Sequence, residues 1–199
     1  LHGLELDGFD KVVMGIDPGT NIMGYGIVGL KGKQFYLLSV GIVKLDKIED
    51  HGLKLKHIFE RVTGIIDSYK PDEIAIEAPF YGKNVQSMLK LGRAQGVAIA
   101  AALMREIPVF EYQPRKIKLS ITGTGNASKE QVAEMLMKLL DFKDMPKHLD
   151  ATDGLGAAMC HIFQFEPRSF GSTKKSVKGN KKGAWDQFIN QNKGRVKGL

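Results

Sequence analysis

The first fifty residues alternate between apolar runs and short polar breaks. Val12 to Ile16 is uniformly apolar, the signature of a strand buried on both faces, and Asp17-Pro18-Gly19 turns the chain after it. Ile22 to Leu30 and Gln34 to Lys44 predict two more strands, with Gly32 between them marking a hairpin. The period then changes. Leu55, Ile58, Phe59, Val62, Ile65, Ile66 and Tyr69 recur at helical spacing, and Pro71 closes that helix. Glu73 to Ala78 predicts a fourth strand, Asn84 to Arg105 a long helix and Pro108 to Tyr112 a fifth strand. Ser128, with Gln131 three positions on, is a capping box that opens a helix to Leu140. Asp150 to Phe163 forms the last helix.

An antiparallel hairpin followed by two helical crossovers implies an α/β fold. The later strands then run parallel to the first, giving a mixed five-stranded sheet with helices on both faces. Such sheets collect ligands at the carboxyl ends of their parallel strands. Asp17 stands at the end of strand one and Glu77, in I-A-I-E-A-P-F, at the end of strand four. Asp150 and Asp153 share one face of the last helix at its first turn, where the helix dipole favours negative charge. As a pair they fit an ordinary helix start. Together with two strand-end acids they form what a two-ion site requires, because magnesium takes hard oxygen ligands and few protein groups. Two such ions can activate water and steady the leaving oxygen of a phosphodiester. Asp17, the most enclosed, suits a ligand shared by both ions. No Cys/His cluster has zinc spacing.

Charge supports a phosphate-bearing substrate. Pro167 to Leu199 holds nine Lys and Arg against Asp186 alone, or +8, which leaves twenty basic and twenty-one acidic groups, or −1, in residues 1–166. The segment 165–199 reads as a basic, disordered tail, with at most a short helix near Ala184 to Gln191. It suits phosphate backbones or simple solubility. Arg115, Lys116 and Lys118 cluster just after strand five, and Lys129 opens the next helix. Lys118 and Lys129 are candidates to stabilise charge on a transferring phosphate or to touch DNA. Phe80 and Tyr81 follow Glu77 as core residues or as wedges that stack on bases. Gly92, Ala94, Gly96, Ala98, Ala101 and Ala102 permit close packing of the long helix on a twin subunit or on the sheet. Gly154 and Gly156, each costing about 1 kcal/mol against Ala inside a helix, suggest a close approach of the last helix to the sheet. The single cysteine, Cys160, excludes an internal disulfide, reads as a buried thiol and fits the cytoplasm. No run is long enough to span a bilayer. Residues 1–10 are set aside as an N-terminal extension, so the functional domain is expected over 11–164.

At these residues the sequence resembles the RuvC family of Holliday junction resolvases, which have an RNase H-like fold. The matching stretches are G-I-D-P-G at 15–19, G-Y-G at 24–26, I-A-I-E at 74–77 and L-K-L-G-R-A-Q-G-V-A at 89–98. P-V-F-E-Y at 108–112 and D-A-T-D at 150–153, ahead of a helix that ends C-H, complete the set, in order from about residue 11 to 164. The resemblance implies that Asp17, Glu77, Asp150 and Asp153 bind metal, that Phe80 is the stacking aromatic, and that Lys118 and Lys129 serve DNA contact and catalysis. It further implies magnesium or manganese, a homodimer built partly on the 84–105 helix, paired nicks across a four-way junction, and cooperation with a branch-migration helicase complex. D-P-G-T-N also resembles the nucleotide loop of actin-like ATPases and sugar kinases, but the sequence holds no second phosphate-binding hairpin. A related nuclease for another branched DNA or RNA, and a junction binder without cleavage, are the other readings.

Overall fold

In the computed structural model, residues 8–79, 84–143, 146 and 148–165 are described. Five strands form one sheet: β1 (Lys11–Asp17), β2 (Ile22–Lys31), β3 (Gln34–Lys44), β4 (Glu73–Glu77) and β5 (Val109–Tyr112), in the order β3-β2-β1-β4-β5. The β1–β2 and β2–β3 pairs are antiparallel; β1–β4 and β4–β5 are parallel. The sheet is thus mixed, as the pattern predicts. Gly32 takes the positive φ of +59° that the β2–β3 turn demands. Helix α1 (His51–Tyr69) ends where Lys70 turns left-handed ahead of Pro71.

Two cores fill the two faces. Met14, Ile16, Ile74 and Ile76 pack with Ile58, Val62 and Ile66 of α1 and with Ala94, Ala98, Ala101 and Ala102 of α2 (Val85–Leu103). Val13, Val28 and Ala75 face the other way, onto Ile117, Leu136 and the α5 residues Leu155, Ala158 and Met159. Those residues belong to α3 (Pro114–Thr122), α4 (Lys129–Leu140) and α5 (Asp150–Phe165). The predicted Ser128–Gln131 capping box is present at α4, and Cys160 is fully buried. Helix α3 is an element that the hydrophobic pattern did not predict. Only Ile117 and Ile121 of its nine residues are buried, so its apolar stripe is too short to stand out. Pro114 at its first turn and Gly123 at its left-handed C-cap are the local signals for it. Two residues of the expected N-terminal extension pack against the sheet: Phe9 contacts Gly29 and Tyr36, and the Asp10 carboxylate accepts from Gly32 N at 2.6 Å.

Helix α5 lies against a patch of sheet that has no side chains. Gly15 and Gly26 are register partners across β1 and β2, and Gly24 is the partner of Asp17. A Cβ on Gly24 would fall 1.7 Å from the Asp150 carbonyl oxygen, and one on Gly15 would fall 2.0 Å from that of Gly154. From the helix side, a Cβ on Gly154 would meet Tyr25 Cα at 2.7 Å. The expected close approach is therefore backbone against backbone at Gly154; Gly156 instead faces Ile117 and Ile121. A buried polar chain anchors the other end of α5. His161, with no exposure, lies between Tyr112 Oη (2.7 Å from Nδ1) and Glu73 Oε2 (2.6 Å from Nε2). Burial disfavours the charged form of Glu73, but hydrogen bonds from Lys11 and His161 outweigh it and hold the carboxyl below its usual range. An ionised Glu73 only accepts, so Nε2 donates to it and Nδ1 accepts from Tyr112.

Candidate metal and nucleic-acid site

The glycine patch brings the first turn of α5 to the end of β1. Asp17, Asp150 and Asp153 each offer a carboxylate oxygen, and the three atoms lie within 4.8 Å of one another. Glu77 ends β4, one position beyond the Ile16–Ile76 pair, so its Cα neighbours that of Asp17 on the parallel strand. It lies outside the three-oxygen cluster, yet it lines the same cavity of about 560 Å³ as Asp17 and Asp153. Gln113, Arg115, Lys118 and Lys129 complete the polar lining. The four acids that the sequence singled out therefore meet at the carboxyl end of the sheet.

Asp17, Glu77 and Asp153 resist ionisation. Burial, followed by repulsion from Glu77 and Asp153, pushes the Asp17 carboxyl up to about 8. Burial and Asp153 raise Glu77 to about 7, against the pull of Lys129 and Lys118. Asp153 is also raised, chiefly by burial. Lys129 offsets part of this charge, donating to Asp153 at 2.5 Å and lying 3.5 Å from Asp150. Burial works against its ammonium, but the pairing outweighs it and holds Lys129 above the usual lysine range. A cation in the first turn of α4 opposes that helix's dipole, so its placement is explained by the acids it faces and not by the helix it opens. Hard oxygen donors gathered with too little positive charge to balance them are a donor set suited to a divalent cation.

The other sequence candidates divide. Arg115 and Lys118 line the cavity from α3, and neither has an ion-pair partner among the described residues. Lys116, on the same helix, is not in the lining; its Nζ lies 5.0 Å from the centre of the Tyr112 ring. Phe80, Tyr81 and the segment 166–199 fall outside the described residues. Gln113 was not singled out from sequence. It lines the cavity at the N-cap of α3 without making a side-chain cap, and only the recognition of α3 would have drawn attention to it.

The family model for crossover junction endodeoxyribonuclease RuvC matches residues 13–161. This chain belongs to the RuvC family. Among curated relatives, the RuvC of Cytophaga hutchinsonii is 57% identical over 188 residues, covering 94% of this chain and 89% of that one. The RuvC of Bacteroides fragilis is 56% identical over 190 residues, with 94% and 97% covered. Among solved structures, T. thermophilus RuvC in complex with Holliday junction substrate superposes with a TM-score of 0.74 at 32% identity, covering 79% of this chain and 96% of that one. The yeast mitochondrial Holliday junction resolvase, at 12% identity and a TM-score of 0.55, shares the fold. The RuvC chain thus has the expected RNase H-like architecture. No helix among the described residues is long and apolar enough to cross a membrane.

Proposed function

We propose that this chain resolves four-way DNA junctions by metal-dependent hydrolysis, as a homodimer whose subunits each nick one of two opposing strands. The observation that carries this reading is the meeting of Asp17, Asp150 and Asp153 at a cavity that Asp17 and Asp153 line together with Glu77, Lys118, Lys129 and Arg115. Asp17, Glu77, Asp150 and Asp153 would hold two magnesium ions, with manganese able to substitute. When bound, such ions supply a nucleophilic water at neutral pH and neutralise charge at the departing oxygen. Lys118 and Lys129 would place positive charge beside the phosphate as it passes through its transition state. The new bond joins the water oxygen to phosphorus, the bond to O3′ breaks, and the products are a 3′-hydroxyl and a 5′-phosphate. Arg115 and Lys116 would contact the DNA backbone, and Phe80 with Tyr81 would hold the crossover open.

The dimer reading draws on α2. Its small residues fall into two sets: Ala94, Ala98, Ala101 and Ala102 are buried within the chain, whereas a Cβ on Gly92 or Gly96 would meet nothing within 4 Å. Val85, Leu89 and Leu103 are exposed and stand at helical spacing with those two glycines, a face suited to a second copy. In the same reading, residues 11–164 are the nuclease domain, 165–199 a basic segment that adds phosphate contacts, and a branch-migration helicase complex the cellular partner.

The test is cleavage of a labelled synthetic four-way junction, with a matched linear duplex as control, in magnesium and in EDTA. Paired symmetric nicks in the junction alone are expected, lost in EDTA and in Asp17→Asn. Tight junction binding without cutting, in any divalent ion and any junction sequence, would replace this reading with that of a binding protein. Equal cutting of the duplex would remove the structural selectivity.

A further inference from the structure

Asp17 is followed by a tight connection, Pro18 to Asn21, that leads into β2. A Cβ on Gly19 would fall 1.7 Å from the Ile22 carbonyl oxygen, so the chain folds closely back on itself there. One charged side chain from another element holds this connection. Lys54, in the first turn of α1, donates to the Thr20 carbonyl oxygen at 2.9 Å and to Asn21 Oδ1 at 3.1 Å. The end of β3 holds the same connection through the backbone, with Leu45 N donating to Asn21 O at 2.8 Å. Lys54 is not among the charges that set the ionisation of Asp17 and does not line the cavity. Its influence on the site therefore passes through the main chain.

We propose that Lys54 is a positioning residue for cation binding, which rests on the metal-site reading above. By fixing Thr20 and Asn21 it sets where Asp17 stands relative to Asp150 and Asp153, and so how well three carboxylates on two separate elements share one ion. On the other side, the glycine patch fixes α5 against β1 and β2. Lys54 supplies the matching restraint from the opposite layer of the molecule, since α1 packs on the face away from α5. Ammonium to carbonyl and ammonium to amide oxygen are charge-assisted contacts. Arginine offers several donors in a fork and can satisfy both acceptors, whereas methionine keeps the aliphatic stem and satisfies neither.

The experiment measures manganese binding directly, by the loss of the free-ion electron paramagnetic resonance signal, on the full chain without DNA. Wild type, Lys54→Met, Lys54→Arg and Asp17→Asn are compared, with thermal unfolding in EDTA run beside them. Lys54→Met is expected to weaken manganese binding by about tenfold, the low end of the loss seen when outer partners of a metal ligand are removed. Lys54→Arg should restore most of it. Junction cleavage by Lys54→Met should recover at high magnesium, separating a loss of cation affinity from a loss of chemistry. Wild-type affinity in Lys54→Met would overturn the proposal. So would a cleavage defect of the same size at every magnesium concentration, which would place Lys54 on the DNA instead. A wild type that binds no manganese, or an Asp17→Asn that binds it as well as wild type, would instead remove the metal-site reading itself.

Discussion

Replacing Asp17 with asparagine should make the metal-free protein more stable while abolishing its chemistry. The Asp17 carboxyl is raised from 3.8 to about 8 by burial and by its acidic neighbours. The folded state therefore holds a proton that the unfolded state releases between about pH 4 and pH 8, and stability falls as pH rises through that window. Each tenfold difference in proton affinity between the two states is worth about 1.4 kcal/mol, so the penalty is roughly 5 kcal/mol at pH 8 and roughly 2 kcal/mol at pH 5. An asparagine amide carries no charge, but it keeps its own burial cost of about 1–3 kcal/mol. The expected net gain is about 3 kcal/mol at pH 8 and close to zero at pH 5. In a domain of this size that is a rise in melting temperature of roughly 6–12 °C at pH 8. The assay is thermal or urea unfolding of wild type and Asp17→Asn in EDTA at both pH values, repeated with magnesium at pH 8. Magnesium should raise the wild type and leave the variant where it was. A variant no more stable than wild type at pH 8 in EDTA, or one that gains equally at both pH values, would refute the charge-crowding account.

Other consequences are open to measurement. Gly24→Ala puts a methyl 1.7 Å from the Asp150 carbonyl; it should cost about 3 kcal/mol or more, read by urea unfolding, and lower cleavage by shifting α5. Tyr112→Phe leaves His161 Nδ1 buried and unpaired and should cost about 1–3 kcal/mol of stability with little change in magnesium dependence. Divalent-ion affinity should increase between pH 6 and pH 8, because Asp17 and Glu77 must give up protons to bind; calorimetric titration in buffers of different ionisation enthalpy would count the protons released. Changing Lys174, Lys175, Lys181 and Lys182 to Gln should weaken junction binding and flatten its salt dependence, by up to about 0.9 in log–log slope for each phosphate that is no longer neutralised. Unchanged affinity across the salt titration would remove the C-terminal segment from the DNA interface.

The strands and long helices were legible because each presents an apolar run or a helical period, and Asp17 and Glu77 were legible because strand ends in parallel sheets are few. Pairing Asp150 with Asp153 needed only helical spacing. Sequence patterns could not show that Gly15, Gly24, Gly26 and Gly154 form one contact, since residues far apart in the chain share it and glycine leaves no periodic trace. Helix α3 escaped because two buried isoleucines in nine residues resemble a basic loop. Its absence misled the reading of Arg115, Lys116 and Lys118 as one cluster: on a helix, consecutive residues point in different directions, and Lys116 lies over Tyr112 while its neighbours line the cavity. Lys54 was equally invisible, because a lysine that grips a carbonyl looks in sequence like any other on a polar helix face.

The contact between α5 and the sheet sets the tolerances of the site as well as its position. Two backbones in direct touch have no rotamers to choose between, so the spacing of the acids on β1 and α5 carries almost no side-chain noise. The four glycines cannot grow, since the smallest possible addition is already too large. The joint behaves like a machined seat: accurate because nothing lies between its surfaces, and for the same reason impossible to shim.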